Sequence, residues 1–260
     1  MAIIEKNDLK IINFEIFENK LISHGIFSRH GGVSPAPWDS LNLGGTVGDS
    51  RANVVENRKR IFAAIDRPVE TLFDSWQVHG TEVLIAAEPR PLNGAHVKGD
   101  AILTNRPDVT LFMRFADCVP ILFFDPVHNA IGIAHAGWKG TLARIAAITI
   151  ETMNSVYNSK PNETLVGIGP SIGPDHYEVG EDVASLTCDV FGRANEKVLH
   201  RLNGKYHLDL WEANRLILFE AGVREIQVAE ICTACDKTDW YSHRGDHGKT
   251  GRFGALLALN

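Results

Sequence analysis

The chain has few of the features that define secreted or membrane proteins. Its 260 residues include only four cysteines, which do not resemble the disulfide framework of a secreted protein. No run of about 18 uninterrupted apolar residues occurs, and no basic segment leads into a long apolar run at the start of the sequence. We therefore expect a cytoplasmic protein with reduced thiols, no membrane span and no export signal.

A strong excess of one charge is also missing. The 26 basic and 32 acidic residues leave a net charge of -6, which gives no general attraction to nucleic acid or to an anionic membrane. We expect neither of these as a partner, and an anionic substrate must be bound by a local group of basic side chains. With 44% hydrophobic and 22% charged residues, the composition is that of a globular protein.

Repeats, low-complexity stretches and Pro/Ser-rich linkers do not occur, so we expect one domain over residues 1–260. Short apolar or alternating runs over residues 72–135 predict a strand-rich core. Helical patterns then alternate with strand patterns, beginning after the segment HAGWKG. The expected fold class is α+β, with helices packed against a mixed sheet core.

A long loop and a helix are predicted before that core. Residues 24–49 are dense in Gly, Pro, Ser and Asn, and loops of that length usually carry function. Asp49 or Ser50 can cap a helix that runs to about Ile65, because the apolar residues of this segment share one face at helical spacing.

Three motifs place a metal-capable side chain beside small or turn-forming residues. They are QVHG at 77–80, ADCVP at 116–120 and AHAGWKG at 134–140. Their imidazoles and thiol belong to His79, Cys118 and His135, and we expect all three to lie at strand ends. These are ligand types that zinc prefers, and three ligands leave a fourth position for water or substrate. The motifs are far apart, so only the fold can bring them together.

The same residues allow other interpretations. Cys118 can be a small buried hydrophobic residue, with both histidines making ordinary hydrogen bonds. Alternatively, Cys118 is a thiolate nucleophile and His135 its general base, as in a hydrolase or deamidase. The helix expected after HAGWKG would place its N-terminal amides near His135, where they could attract a phosphate or an oxyanion.

Candidate substrate-binding and phosphate-binding residues lie in and after the long loop. Arg29, His30 and Asn42 stand among glycines, and arginine suits bidentate phosphate binding. Arg58 on the helix and Gln77 beside the first histidine are further candidates. A solvated surface position is an equally simple interpretation for both arginines.

Three further segments carry polar or reactive residues. The stretch GPSIGPDHYEVG at 169–180 predicts rigid turns more than a site, and the tail WYSHRGDHGKTGRFGALL could close over a site. Cys232 and Cys235 form a lone CxxC, which supports neither a zinc ribbon nor a thioredoxin-like pair.

Eight motifs in this order resemble the laccase-domain family. They are FSRHGGVS, PWDSLNLGG, ENR, QVHG, ADCVPILFFD, HAGWKGT, GPSIGPDHYEVG and TGRFGALL, and they span residues 27–257. Members of that family have been called multicopper polyphenol oxidases and peptidoglycan editing factors. They are now understood largely as zinc-dependent purine nucleoside phosphorylases with adenosine deaminase activity.

The resemblance implies a metal site and a fold, and this sequence departs from the family pattern at two places. The zinc ligands would be His79, Cys118 and His135. The fold would be a mixed β-sandwich-like core flanked by helices, similar to the catalytic domain of cytotoxic necrotizing factor, which is a cysteine deamidase. In the tail, His243 replaces a tyrosine and an arginine pair is broken. Cys235 lies outside the family pattern and receives no role.

The activity that the resemblance implies is phosphorolysis of a purine nucleoside to free base and ribose 1-phosphate, with deamination of adenosine at the same zinc. Arg29 and Arg58 would orient phosphate, and His30 or Asp117 could assist the reaction. The expected partners are therefore a small-molecule nucleoside and phosphate, and the protein is expected to be a monomer or a small homo-oligomer.

Three alternative functions remain open at this point. The first is a copper polyphenol oxidase, although the eleven histidines contain no His-x-His pair of the kind that blue-copper oxidases share. The second is a metal-free cysteine amidohydrolase acting on peptidoglycan precursors. The third is a non-catalytic module that zinc stabilises.

Overall fold

Two six-stranded sheets form the centre of the protein, as seen in a computed structural model that describes residues 1–18 and 21–260. The strands in this part of the chain are β1 (Ala2–Lys6), β2 (Leu9–Asn13), β3 (Ile22–Phe27), β4 (Leu72–Asp74), β5 (Val83–Ile85), β6 (Ala101–Thr104), β7 (Thr110–Phe115), β8 (Val119–Asp125), β9 (Ala130–Ala136), β10 (Leu165–Ile168), β11 (Glu178–Val179), β12 (Leu199–Leu202), β13 (Lys205–Leu208), β14 (Glu225–Val228) and β15 (Phe253–Leu259). The α-helices are α1 (Arg51–Ala64), α2 (Trp138–Leu142), α3 (Ile145–Tyr157), α4 (Glu181–Phe191), α5 (Asn195–Val198) and α6 (Leu210–Glu220).

The strand order shows that both large sheets are mixed. Sheet I runs β1-β2-β3-β15-β7-β4, and sheet II runs β14-β10-β8-β9-β6-β5. The pairs β4–β7, β5–β6 and β10–β14 are parallel, and the other pairs of these sheets are antiparallel. A small third sheet, β11-β13-β12, is not hydrogen-bonded to either of them. The predicted α+β class is confirmed, whereas the likeness to the toxin domain stays a prediction.

Apolar packing arranges the elements in layers. Ile26 and Leu257 of sheet I belong to the same buried cluster as Leu122 and Ile133 of sheet II, so the two sheets face each other. The outer face of sheet I packs against α1, and the outer face of sheet II packs against α3 and α6. Burial of apolar area between these layers is the main stabilising contribution.

The run VPILFF in β8 shows why this strand does not alternate apolar and polar residues. Val119, Ile121 and Phe123 face the helix-covered side of sheet II, whereas Leu122 and Phe124 face sheet I. A strand that is buried on both faces has no polar side to present, so its sequence is continuously apolar.

The predicted helix after the long loop is confirmed. Ser50 is the N-cap of α1, and its side chain accepts a hydrogen bond from the Asn53 amide at 3.2 Å. Ile61 and Phe62 are fully buried against sheet I, and the helix ends at Ala64 with Ile65 as its C-cap. Residues 28–49 contain neither strand nor helix, as predicted for the loop, but residues 24–27, which the prediction also assigned to the loop, are the end of β3.

The helical region after HAGWKG differs from the prediction of one continuous helix. The single-turn helix α2 already begins at Trp138 inside that motif, and α3 begins only at Ile145. Arg144 separates them because its backbone is left-handed, with φ of 64°. A helix cannot continue through such a residue.

Membrane insertion by helix is not supported within residues 1–18 and 21–260. None of the helices there combines the length and the apolar character that a bilayer crossing requires.

Candidate active site

The fold brings His79, Cys118 and His135 together. Cys118 directly precedes β8, and His135 lies near the end of the neighbouring strand β9, where it is paired with Pro120. His79 comes from the loop between β4 and β5, so the prediction that it lies at a strand end is wrong. One ligand atom of each residue lies within 4.8 Å of those of the other two. The two imidazole rings meet edge to face, with centroids 4.9 Å apart.

The buried carboxylate of Asp100 holds this arrangement. It accepts hydrogen bonds from the backbone amides of Val78, His79 and Gly80 at 3.0, 2.9 and 2.8 Å. The same group contacts Nδ1 of His135 at 2.9 Å. The loop must turn sharply to deliver these amides, and His79 accordingly has a left-handed φ of 59°. A carboxylate on Nδ1 fixes the imidazole orientation and leaves Nε2 for a metal.

Gly137 allows the ligands to approach each other. A Cβ atom at this position would lie 2.9 Å from Sγ of Cys118 and 3.0 Å from Cδ2 of His79. Because such distances are too short for non-bonded atoms, no other residue fits without displacing a ligand.

The thiol and imidazole of the site shift each other's protonation. Burial acts to raise the pKa of Cys118, but the neighbouring His135 and His79 outweigh it and lower that pKa to about 6. Burial acts to lower the pKa of His135, but Cys118 and Asp100 outweigh it and raise that pKa. The thiolate that forms at neutral pH is the species that binds metals and attacks electrophiles.

These residues fit a metal ion. Two imidazoles and one thiolate are suitable donors for zinc, the carboxylate behind His135 is the usual outer partner of a metal-bound imidazole, and Gly137 clears the space beside the sulfur. Three protein ligands leave one coordination position for substrate or water. His79, Cys118 and His135 therefore form a candidate metal site of the catalytic type.

A cavity of about 890 Å³ opens beside the candidate metal site. The three predicted ligands line it together with Asp117. Apolar and aromatic side chains also contribute, and they are Val54, Val55, Val69, Trp76, Leu92, Trp138, Ile172, Tyr177 and Leu210. A cavity of this size and character suits a small molecule with a flat apolar part.

Basic side chains line another part of the cavity. The arginines are Arg51, Arg58, Arg90, Arg114, Arg244 and Arg252. Sequence analysis identified Arg58 among them and missed the group, because these arginines come from a helix, a strand and loops that are distant in sequence. A high density of arginine in one cavity favours an anionic ligand.

Asp74 neutralises part of this charge. Its buried carboxylate pairs with Arg90 at 2.6 Å, with His96 at 3.2 Å and with Arg114 at 3.6 Å. The Nε atom of Arg58 is buried without a hydrogen-bond partner among the described residues. Burial lowers the pKa of Arg58, Asp74 opposes this effect, and Arg114 lowers it further. One carboxylate does not balance three guanidinium groups, so an anion bound here would be strongly favoured.

The predicted substrate residues do not all reach the cavity. Arg58 and Gln77 line it. The Gln77 amide is used by the backbone of Arg114, with Nε2 donating to the carbonyl at 2.8 Å and Oε1 accepting from the amide at 3.1 Å. Gln77 therefore fixes the position of an arginine and has little capacity left for a ligand.

Arg29, His30 and Asn42 are not among the residues that line this cavity, although Arg29 and His30 line a second one of about 320 Å³, and a substrate-binding role for the three stays a prediction. Arg29 donates to two backbone carbonyls of neighbouring loops, and His30 contacts Asp239 at 2.8 Å. Asn42 is fully buried and accepts hydrogen bonds from the amides of Gly44 and Arg252. These side chains are occupied in holding loops together, a role that turn-rich composition cannot distinguish from ligand binding.

Asp117, expected to assist catalysis, lies between the cavity and the tail. It has a left-handed φ of 79° and is buried. Its carboxylate accepts hydrogen bonds from Oγ1 of Thr233 at 2.7 Å and from the amide of Arg244 at 2.6 Å. Asp117, which directly precedes Cys118, therefore anchors the tail beside the candidate metal site. Its role in catalysis stays a prediction.

Two segments that sequence analysis treated mainly as turns or a tail contribute to the cavity wall. Tyr177 of the Gly/Pro loop and His243, Arg244 and Arg252 of the tail line it. The guanidinium of Arg244 lies over the Tyr177 ring, 5.2 Å from its centroid. By contrast, the expected anion site at the helix after HAGWKG is not supported, because α2 has only five residues and a short helix has a small dipole.

Fold and site together define a class: an α+β protein with an open three-ligand candidate metal site beside an arginine-rich cavity. The chain belongs to the family described as multi-copper polyphenol oxidoreductase laccase, whose sequence model matches residues 23–260. This confirms the resemblance drawn from the eight motifs.

Relatives and solved structures in this family cover nearly the whole chain. A purine nucleoside phosphorylase of Deinococcus radiodurans is 41% identical over 93% of this chain and 90% of that protein. The purine nucleoside phosphorylase YlmD of Geobacillus stearothermophilus is 39% identical over 90% of this chain and 88% of that protein. The crystal structure of YlmD from Geobacillus stearothermophilus superposes with a TM-score of 0.92 and 35% identity, covering 98% of this chain and 97% of the other.

Proposed function

We propose that the protein is a zinc-dependent purine nucleoside phosphorylase that also deaminates adenosine. The observation that carries this proposal is the position of an open site of His79, Cys118 and His135 in the same cavity as an under-neutralised arginine cluster. Relatives named purine nucleoside phosphorylase, with 31 to 41% identity, support the same activity.

Phosphate would bind at the arginine cluster. Arg58 offers an unpartnered Nε, and Arg114 and His96 contact one carboxylate that cannot neutralise the whole group. Phosphorolysis adds a phosphate oxygen to C1′ of the nucleoside while the bond from C1′ to the purine nitrogen breaks, giving ribose 1-phosphate and free base. The sugar becomes cationic as that bond breaks, so an anion held in position beside it stabilises the transition state.

The purine would lie against the apolar part of the cavity. Trp138, Tyr177 and Ile172 line this part and offer flat or apolar surfaces. Burial raises the pKa of Tyr177, so its phenol remains a neutral hydrogen-bond donor over the physiological range. Such a donor can contact a ring nitrogen or carbonyl of the base.

Zinc would be held by His79, Cys118 and His135, and Asp100 would keep His135 oriented toward it. When bound, zinc supplies Lewis acidity, which polarises an electronegative substrate atom and makes nearby water more acidic. Deamination of adenosine consumes water and releases ammonia and inosine, and it needs no second catalytic centre. A cytoplasmic location would keep Cys118 reduced and able to bind metal.

Product analysis tests the proposal. Purified protein is incubated with adenosine, inosine, guanosine or 5′-methylthioadenosine, with and without phosphate, and the products are identified by mass spectrometry. We expect free base and a pentose 1-phosphate only when phosphate is present, and inosine from adenosine in either condition. No nucleoside turnover with a full zinc content would contradict the proposal.

The variant Cys118→Ala tests the metal assignment, with Cys188→Ala as the matched control. Cys188 is an exposed cysteine on α4 outside both groups of potential metal ligands in the described residues. We expect Cys118→Ala to lose the zinc ion of this site and both activities, and Cys188→Ala to keep them. Full activity in Cys118→Ala would refute the role of this site.

A metal-free cysteine amidohydrolase is a second candidate, which one observation favours. The Asp100 carboxylate contacts Nδ1 of His135, and His135 lowers the pKa of Cys118. In a catalytic triad of this kind Cys118 would be the nucleophile, His135 the base and Asp100 the carboxylate that orients the base. The second imidazole, His79, has no role in such a mechanism. Chelation separates the candidates, because a thiol nucleophile would remain active after zinc is removed.

A further inference from the structure

A second group of potential metal ligands lies outside the candidate active site. It joins the Gly/Pro loop before β11 to the CxxC motif after β14, and its members are Asp175, His176, Cys232 and Cys235. We call these four residues the loop cluster. One donor atom of each lies within 4.8 Å of those of the other three.

Distances within the loop cluster are close to those between the ligands of a tetrahedral ion. Nδ1 of His176 lies 3.8 Å from Sγ of Cys232 and 3.4 Å from Sγ of Cys235. Oδ2 of Asp175 lies 3.1 Å from Sγ of Cys235 and 2.9 Å from Nδ1 of His176. A tetrahedral zinc ion with bonds of about 2.0 to 2.3 Å would place such ligand atoms roughly 3.3 to 3.8 Å apart. The two distances from His176 to the sulfur atoms lie in that range, whereas the two from Asp175 are shorter, so this exposed carboxylate would move outward when an ion binds.

The backbone around the loop cluster is arranged to support a thiolate. Sγ of Cys232 accepts hydrogen bonds from the amide of Gly173 at 3.2 Å and from the amide of Cys235 at 3.4 Å. A Cβ atom at Gly173 would lie 2.7 Å from Oδ1 of Asp175 and 3.1 Å from Cβ of Cys232. Glycine at position 173 therefore lets the Gly/Pro loop approach the CxxC motif this closely. Amide donors to a ligand sulfur are typical outer contacts of metal sites.

We propose that the loop cluster binds a structural zinc ion. Four protein ligands close the coordination shell, unlike the three of the candidate active site, so this ion would have no place for substrate. The sequence pattern suggested no such site, because the second half of the CxxC is an Asp-His pair more than fifty residues away.

Two residues of the loop cluster are adjacent in sequence to residues that line or support the cavity wall. Tyr177, next to His176, lines the cavity. Thr233, next to Cys232, donates a hydrogen bond to Asp117 beside Cys118. An ion in the loop cluster would thus fix both segments of that wall relative to the candidate active site.

Metal counting tests this proposal independently of the proposed function. Zinc per chain is measured by mass spectrometry on protein purified under reducing conditions, for the wild type and for Cys118→Ser, Cys235→Ser and the double variant. We expect two, one, one and zero zinc ions, with Cys188→Ser as the control that keeps two. An unchanged count in Cys118→Ser together with a loss in Cys235→Ser would contradict only the candidate active site and would still support the loop cluster.

An equal zinc content in the wild type and in Cys235→Ser would overturn the proposal. His176→Gln, at an exposed histidine, is a second variant that keeps the test valid if Cys235→Ser does not fold. A disulfide between Cys232 and Cys235 in the freshly isolated protein, seen as two thiols that resist alkylation until reduction, would also overturn it.

Cobalt binding gives a second readout. In the Cys118→Ser background the loop cluster holds the two remaining cysteines that lie within a group of potential metal ligands, since Cys188 is outside both groups in the described residues. We therefore expect thiolate charge-transfer absorption on titration with cobalt(II). Adding Cys235→Ser to that background should weaken the absorption markedly. A chelator should lower the melting temperature of the zinc-loaded Cys118→Ser protein, and it should no longer do so in the double variant. Identical spectra and melting curves in both proteins would contradict the loop cluster as a metal site.

Discussion

Asp100 and Gly137 show how much of the candidate active site depends on residues that do not themselves bind metal. The single carboxylate of Asp100 accepts hydrogen bonds from three consecutive backbone amides and contacts one imidazole. Burial acts to raise the pKa of Asp100, but the hydrogen bonds from His135 and the loop amides outweigh it and lower that pKa. The carboxylate therefore remains charged and can orient His135 and the loop of His79 together.

Gly137→Ala should remove metal from an otherwise folded protein. The new methyl group would overlap Sγ of Cys118 and the ring of His79, so the ligands must move apart. We expect zinc content at the candidate active site to fall by at least tenfold at limiting zinc, measured by titration with a chromophoric chelator.

The control for this substitution is Gly45→Ala, because a Cβ atom at Gly45 meets nothing within 4 Å. Gly45→Ala should keep the wild-type zinc affinity. Equal affinities for all three proteins would mean that the predicted ligands do not share an ion.

His24 should make stability depend on pH. Burial lowers the pKa of His24 to about 4, whereas an unfolded histidine titrates near 6.5. As the pH falls below 6.5, the unfolded chain takes up this proton first, so the folded state loses stability until the pH reaches about 4. The expected loss from this group is about 3 kcal/mol.

The variant His24→Gln tests this expectation, because its side-chain oxygen can still accept the hydrogen bond that Nε2 takes from the Phe14 amide at 2.9 Å. Urea unfolding at several pH values should show a smaller decline between pH 6.5 and 4 in the variant. A decline of the same size in both proteins would exclude His24 as its source.

At the scale of elements, α1 delivers Arg58 to the cavity while its other face packs on sheet I. Arg58 is mid-helix, as predicted, and its guanidinium lies 5.5 Å from the centroid of the Phe112 ring. Helical spacing predicted the packed residues of α1, but it could not reveal that Arg58 lies near Arg90, which follows β5, and Arg114, which is on β7.

Arg58→Met should raise the KM for phosphate in phosphorolysis without loss of zinc. Methionine keeps the packing on Phe112, but a charged hydrogen bond worth about 2 kcal/mol is lost, which corresponds to roughly a thirtyfold weaker phosphate affinity. Deamination of adenosine, which does not use phosphate, should change much less. Initial-rate measurements at varied phosphate concentrations give the comparison.

Arg106→Met is the matched control, because Arg106 is exposed and pairs only with Asp108 at 3.1 Å among the described contacts. Its KM for phosphate should match the wild type. An unchanged KM in Arg58→Met would place the phosphate site elsewhere in the cavity.

At the scale of the whole molecule, the last strand completes the sheet that the first strands begin. Strand β15 lies between β3 and β7, and Leu257 pairs with His24 on one side and Leu111 on the other. Sheet I therefore joins the two ends of the described chain, and its register depends on contacts that are very distant in sequence.

Leu257→Ala should destabilise the protein by about 2 to 5 kcal/mol, because Leu257 is fully buried between the two sheets and its loss leaves a cavity. The control Ile3→Ala lies on the edge strand β1 and is 54% exposed, so it should change stability by less than about 0.5 kcal/mol. Urea unfolding monitored by tryptophan fluorescence measures both. Similar free energies of unfolding for the two variants would contradict this packing of the sheets.

Local patterns in the sequence determined several features by themselves. The capping of α1 at Asp49 or Ser50, the continuously apolar β8 and the donor types of His79, Cys118 and His135 all follow from residues close together in the chain. Capping, burial on both faces and ligand chemistry each depend on one short segment, so each leaves a signature there.

Tertiary structure alone decided what these segments meet. The pairing of β8 with β9 brings Cys118 near His135, and the approach of β6 supplies Asp100 to both histidine segments. The arginine cluster around Asp74 and the completion of the CxxC motif by His176 depend on long-range packing in the same way. Contacts of this kind are set by strand register and layer packing, which involve residues far apart in the chain and leave no pattern within any one segment.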